Sequence, residues 1–194
     1  MVIKSAKYLT SVVESNKILN DGIDIAFVGR SNVGKSSIIN SLTNQKKLCK
    51  TSSLPGRTRM INYFYINNSF RFVDLPGYGY ASAGKQNKII WSNIMENYLL
   101  NSKSLKHVIM LIDSRIEPTE LDVKMLNFLF YYQIPTTVVA TKVDKLPKSK
   151  IGTYIQKCAS KLSIGKDNII PYSSETNFGR EELLNLIQNV IDNC

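Results

Sequence analysis

The sequence predicts an α/β fold, a mostly parallel sheet of about six strands with helices on both faces. Three observations predict it. Short apolar segments alternate with helix-period segments from end to end, the pattern of strands joined by crossover helices. One strand pair is separated instead by Asn67-Asn68-Ser69, a hairpin signal. The 194 residues suit one domain and suffice to bury roughly 70% of the unfolded chain's surface. No repeat or low-complexity linker breaks the pattern. The expected division is an N-terminal extension, residues 1–22, and a single domain, residues 23–194.

A first strand is expected at Ile23–Val28. The helix after it carries Ile38, Ile39 and Leu42 on one side. Strands at Met60–Ile66 and Phe70–Val73 flank the turn, where Asn tolerates positive φ. A helix over Lys88–Leu100 stacks Ile90, Ile94 and Tyr98 at four-residue spacing, with Trp91, Met95 and Leu99 alongside. Val108–Ile112 is the next strand. Thr119 with Asp122 forms a capping pair that opens a helix carrying Leu121, Met125, Leu129 and Tyr132. Thr136–Ala140 is a strand, and Ile151, Ile155, Cys158 and Leu162 form a helical stripe. Ile169–Tyr172 is the last strand, and Leu183, Leu184, Ile187, Val190 and Ile191 line the last helix. In such sheets ligands bind beyond the carboxyl ends of the strands.

Composition excludes several classes. At 43% hydrophobic and 21% charged residues the chain is not disordered. Its longest apolar runs, Val108–Ile112 and Phe128–Tyr132, fall far short of the about 20 residues a span needs, so no membrane partner is expected. Met1–Lys7 holds no apolar core of signal-peptide length. Cys49, Cys158 and Cys194 form neither a metal pattern nor a disulfide framework, and a cytoplasmic location is expected. His107 is the only histidine, which excludes catalytic His pairs. Lys plus Arg is 25 against 15 acidic residues, a net charge of +10. No acid lies between Asp24 and Asp74, where Arg30, Lys35, Lys46, Lys47, Lys50, Arg57, Arg59 and Arg71 all fall. A polyanion suits such a stretch. A solvated basic face is the alternative, and charge alone does not separate the two.

Gly29-Arg30-Ser31-Asn32-Val33-Gly34-Lys35-Ser36, followed by Ser37, matches G-x-x-x-x-G-K-[ST] between a strand and a helix. The glycines let backbone N–H groups curl around phosphates, and the helix N-terminus adds a positive dipole end. Lys35 is expected on the β- and γ-phosphates, with Ser36 on Mg²⁺. Asp74-Leu75-Pro76-Gly77 leaves a strand end, so Asp74 is expected to hold Mg²⁺ through water and Gly77 to bring its N–H to the γ-phosphate. Thr141-Lys142-Val143-Asp144 ends another strand. Asp144 can accept from guanine N1–H and the 2-amino group, donors adenine lacks, and the Lys142 stem can cover the base. Ser173-Ser174-Glu175 is expected to offer a backbone N–H to guanine O6. In Gly56-Arg57-Thr58-Arg59-Met60, Thr58 is expected as a second Mg²⁺ ligand in a loop ordered by triphosphate.

These residues resemble the EngB family of bacterial ribosome-biogenesis GTP-binding proteins. The carriers are G-R-S-N-V-G-K-S-S, P-G-R-T, V-D-L-P-G-Y-G-Y-A and T-K-V-D-K-L, in order between residues 29 and 146. The resemblance implies a Ras-like P-loop GTPase fold, GTP and GDP as ligands with Mg²⁺, and a role in assembling the large ribosomal subunit, with consequences for cell division. The partners expected are ribosomal RNA and protein of that subunit and no DNA, and a monomer is expected. Most GTPases carry Asn at position 141; EngB-like proteins carry Thr, and a looser tie to the phosphate loop is expected.

Tyr78 occupies the place where many small GTPases carry the water-orienting Gln. Intrinsic hydrolysis is therefore expected to be slow, with the ribosome supplying the missing part. Asn32 has two readings: a K⁺ ligand, as in related GTPases with Asn there, or a stabiliser of the loop. Tyr78, Tyr80, Ala81, Ala83 and Gly84 are either a nucleotide-sensitive contact surface or aromatics folded onto the protein. Lys145, Lys148 and Lys150, with Lys46, Lys47 and Lys50, either meet RNA phosphates or are merely solvated. A metabolite kinase is the competing class; Asp144 and Thr58 favour the GTPase.

Overall fold

Reading the chain in order, the computed structural model describes residues 1–49, 60–79 and 93–194. The expected positions Gly56, Arg57, Thr58, Arg59, Lys50, Tyr80, Ala81, Ala83, Gly84, Lys88, Ile90 and Trp91 lie outside the described residues. The strands are β1 (Ala6–Val12), β2 (Asp24–Gly29), β3 (Ile61–Ile66), β4 (Phe70–Asp74), β5 (Leu105–Asp113), β6 (Thr136–Thr141) and β7 (Ile169–Pro171). The helices are α1 (Lys35–Thr43), α2 (Asn93–Asn101), α3 (Glu120–Tyr131), α4 (Lys148–Leu162) and α5 (Arg180–Asp192).

The strands form one sheet in the order β1-β3-β4-β2-β5-β6-β7. β3 runs antiparallel to β1 and β4, and the other pairings are parallel. Among the described residues the expected six strands become seven, because β1 forms within the segment expected as an N-terminal extension. Only Ala6 and Val12 of β1 are buried, and a bulge at Leu9 breaks its alternation. A half-exposed edge strand gives no period-2 signal.

Side-chain alternation in β2 feeds two cores, since it is covered on both faces. Ala26 and Val28 join the helices α2, α3 and α4, whereas Ile25 and Phe27 join α1 and α5. At the hairpin turn Asn67 and Asn68 both hold positive φ, 49° and 52°, as a tight turn requires. The capping pair forms as expected: the Thr119 N–H donates to Asp122 Oδ2 at 2.7 Å and the Asp122 N–H returns a longer bond of 3.4 Å to Thr119 Oγ1.

Registers set the site. Phe27 of β2 lies opposite Asp74 of β4 and Ile109 of β5, and Asp113 of β5 lies opposite Thr141 of β6. The loops after β2, β4, β5 and β6 therefore leave one edge of the sheet together.

At the other end of β5, burial holds the His107 imidazole at about 4, with Nε2 2.9 Å from Thr137 Oγ1. The folded state thus binds fewer protons than the unfolded one between pH 6.5 and about 4. Stability is full above pH 6.5 and falls through that window by up to about 3 kcal/mol. Because this is the only histidine, its NMR titration reads the site directly; a midpoint near 6.5 would contradict the burial effect.

Candidate functional site

Where β2 ends, Gly29 can carry no side chain. A Cβ there would stand 2.7 Å from Val33 Cγ1 and 3.0 Å from Leu111 O. The loop then curls through two left-handed residues, Asn32 (φ 64°) and Gly34 (φ 113°). Gly34 is the N-cap of α1, so the first-turn N–H groups of Lys35, Ser36 and Ser37, which have no intrahelical acceptor, point into the loop with the positive end of the helix dipole. Lys35 Nζ sits 3.5 Å from Gly29 O, inside the curl. Burial lowers its pKa, opposed by the charge of Asp74.

Asp74, 6% exposed, closes β4 beside that ammonium. Burial raises its pKa, with Lys35 and a side-chain hydrogen bond from Asn62 opposing. Asn62 lies directly across the ladder from Asp74. Its Oδ1 accepts from Ser11 Oγ at 2.6 Å, and Ser11 Oγ lies 2.8 Å from Tyr8 Oη. A chain of polar groups thus runs from the edge strand β1 to Asp74. Asp74 Oδ1 is buried with no hydrogen-bond partner among the described residues. An orphaned carboxylate oxygen is costly, and a hydrated cation beside Ser36 would satisfy it, so the residues present fit Mg²⁺. Sequence reading missed Asn62 and Ser11. Counting back from the Asn67-Asn68 turn in antiparallel register identifies Asn62; nothing in the sequence marks Ser11.

Leu75 and Pro76 are buried, and Gly77 presses on the phosphate loop. A Cβ at Gly77 would be 3.0 Å from both Ser31 N and Ser31 Oγ. The Ser31 N–H donates to Tyr78 O at 3.2 Å and the Tyr78 N–H to Gly29 O at 3.3 Å, zipping the two loops together. Of the two readings of Tyr78, the structure selects the folded one. Its ring is 2% exposed and its hydroxyl donates to Asp122 Oδ1 at 2.8 Å. Asp122 also caps α3, so the segment after Asp74 is fastened to that helix. Met60, just before β3, is 38% exposed.

At the end of β6 the tie expected to be looser is made by Thr141 itself. The Thr141 hydroxyl lies 2.7 Å from Val33 O and 3.0 Å from Ile112 O, joining this loop to the phosphate loop. Lys142 adds a second strut: Nζ donates to Asn32 O and to Asp113 Oδ2, both at 2.8 Å. Burial pushes the Asp113 carboxyl up, but its bonds to Arg115 and Lys142 outweigh that and hold it at about 2. The Asn32 carbonyl is thereby committed to stabilising the loop, while its side chain is exposed.

Val143 is buried and its N–H donates to Tyr172 O at 3.2 Å. That anchor turns Asp144 outward. Buried Ser173 donates from Oγ to Asp144 Oδ1 at 2.7 Å, and Lys145 Nζ lies 2.9 Å from Oδ2. The Ser173 bond, ahead of Lys145, holds the Asp144 carboxyl below its ordinary range against burial. Each carboxylate oxygen keeps a lone pair for two parallel donors. Ser173 N–H is taken by Phe178 O, and Glu175 N–H by Ser173 Oγ. Of the three expected residues, Ser174 is left as the backbone donor among the described residues.

The chain matches the family model described as "50S ribosome-binding GTPase" over residues 24–142. It is 50% identical over 195 residues to the probable GTP-binding protein EngB of Clostridium kluyveri, covering 99% of this chain and 98% of that protein. It is 47% identical over 189 residues to the protein of the same name from Clostridium acetobutylicum, covering 96% and 94%. A crystal structure of a probable GTP-binding protein engB superposes with a TM-score of 0.70 at 28% identity, covering 88% of this chain and all of that one. With a phosphate loop after β2, an aspartate at the end of β4 and a T-K-V-D loop after β6 brought to one end of this sheet, the chain belongs to the EngB family of Ras-like P-loop GTPases.

Proposed function

We propose that this GTPase acts as a nucleotide-gated assembly factor for the large ribosomal subunit in the cytoplasm, with consequences for cell division. The observation that carries the proposal is the coupling of three loops, in which Tyr78 and Thr141 both bond the backbone of the phosphate loop. Phosphate entering that loop must displace Lys35 from Gly29 O, and the Asp74–Tyr78 segment is bonded to the same backbone. A γ-phosphate therefore has a direct route to the surface fastened at Asp122. The name of the matched family, "50S ribosome-binding GTPase", supplies the partner class.

In this reading Asp144 and Ser174 read guanine, the Lys142 stem covers it, and Lys35 with the α1 N-terminus holds the phosphates. Mg²⁺ would be held by Ser36 and, through water, by Asp74; it supplies charge neutralisation at the phosphates. Asn62 fixes the Asp74 carboxylate for that task. Thr58 is the proposed second ligand and lies outside the described residues. Hydrolysis is slow because the Tyr78 hydroxyl is spent on Asp122 and orients no water.

Cosedimentation with large ribosomal subunits, comparing a GTP analogue with GDP, tests the proposal. At least a tenfold difference in affinity between the two nucleotide states is expected. Equal retention in both states, or none in either, would contradict it.

A further inference from the structure

We propose that the outer edge of the sheet, β1 with the end of α1, is an RNA-binding surface distinct from the nucleotide loops. The inference rests on the ribosomal reading above and locates the contact. Among the described residues β1 is an edge strand, paired with β3 alone. The segment after α1 is bound to it, since Gln45 Nε2 donates to Ala6 O at 3.0 Å. The hairpin turn is bound to the arm before it: the Asn67 side chain accepts from Lys4 N at 2.7 Å and donates to Val2 O at 2.9 Å.

Three stretches, 1–13, 44–49 and 60–70, therefore meet at one corner, and none contains an acidic residue. Lys4, Lys7, Lys46 and Lys47 there are all exposed and take part in no ion pair among the described residues. By contrast Arg71, from the same acid-free stretch of sequence, is 5% exposed and paired with Asp24, so it is no part of the surface. Among the described residues the charge on this corner has no ion-pair counterpart, and it suits phosphates.

Exposed tyrosines accompany the lysines on both faces of this edge. Tyr8 is 55% exposed with its ring edge-on to Phe64 at 6.0 Å, and Tyr65, directly across the ladder from Lys7, is 37% exposed. Lysines that track a backbone and tyrosines that stack bases are the pairing used for single-stranded nucleic acid. Lysines on an edge strand, with a bulge at Leu9, also discourage addition of a protein strand, which favours RNA over a peptide.

The test is binding of the full chain to a short unstructured RNA and to large ribosomal subunits, by fluorescence anisotropy and cosedimentation over a salt series. Four lysine contacts predict a log–log salt slope of about −3, a loss of roughly 50- to 150-fold between 50 and 200 mM. Removing two charges with K4A/K7A should halve the slope, and K4A/K7A/K46A/K47A should abolish it, with guanine-nucleotide affinity unchanged. Tyr8→Ser should weaken RNA at least fivefold. If the quadruple variant binds RNA and subunits as the parent does, the surface is wrong while the ribosomal reading stands. If the parent does not bind subunits at all, that reading fails too. Polyglutamate binding as tightly as the RNA would overturn the assignment to RNA.

Discussion

Replacing Asp144 by Asn should move the base preference of the protein from guanine to xanthine. The carboxylate offers two acceptors to guanine N1–H and the 2-amino group. Asn keeps one acceptor for N1–H but presents an NH₂ where the 2-amino group stood, and xanthine has an oxygen there. Each charge-assisted bond is worth about 1.5–3 kcal/mol, so loss of the bond to the 2-amino group should cost GTP roughly 10- to 10²-fold in affinity. The fold should not suffer, because the Ser173 hydroxyl can donate to an amide oxygen as it does to Asp144 Oδ1. Since the Ser173 bond keeps the Asp144 carboxyl below its ordinary range, guanine affinity should be flat from pH 6 upward. Competition of XTP and GTP for the variant checks the exchange; unaltered GTP affinity would remove Asp144 from the base site.

The largest stability effect is expected far from the nucleotide. Asp24, at the start of β2, is 0% exposed. Its Oδ1 accepts from Arg71 Nε at 2.6 Å and its Oδ2 from Tyr98 Oη at 3.0 Å. Burial pushes the Asp24 carboxyl up, and the Arg71 and Tyr98 bonds oppose it. Arg71 also reaches Asp21 at 3.1 Å and lies over the Tyr63 ring at 5.7 Å. Arg71→Met keeps much of the stem but strands the buried carboxylate, at a cost of about 3–5 kcal/mol. That is a large share of a typical domain's stability. Pairing it with Asp24→Leu should restore part of the loss, because the unpaired buried charge is then gone, while the Tyr98 hydroxyl loses its acceptor. Urea unfolding of the two variants decides; a loss under about 1 kcal/mol for Arg71→Met would show that the pair does not matter.

The parts of the site that follow one strand were legible in the sequence. G-R-S-N-V-G-K-S needs only a buried strand before it and a helix after it, and both have strong periodic signals. D-L-P-G and T-K-V-D each sit at a strand end and could be placed the same way. The Thr119–Asp122 cap was equally local. Contacts between elements were not legible. Asn62 acts across the ladder and Ser11 acts from an edge strand with no alternation. A looser tie was expected from Thr141, and its short side chain still reaches Val33 O, because β6 and the phosphate loop leave the same end of the sheet with one strand, β5, between them. Arg71 counted toward a basic stretch in one dimension; in three it is half of a buried ion pair.

The central claim is that the β6 loop and the phosphate loop form one guanine-nucleotide site. Competition of GTP and ATP against a labelled GDP on the unaltered protein, with Mg²⁺ present, tests it most directly. Discrimination by two charge-assisted bonds predicts that ATP competes at least a hundredfold more weakly than GTP. Equal competition by the two nucleotides would contradict the account.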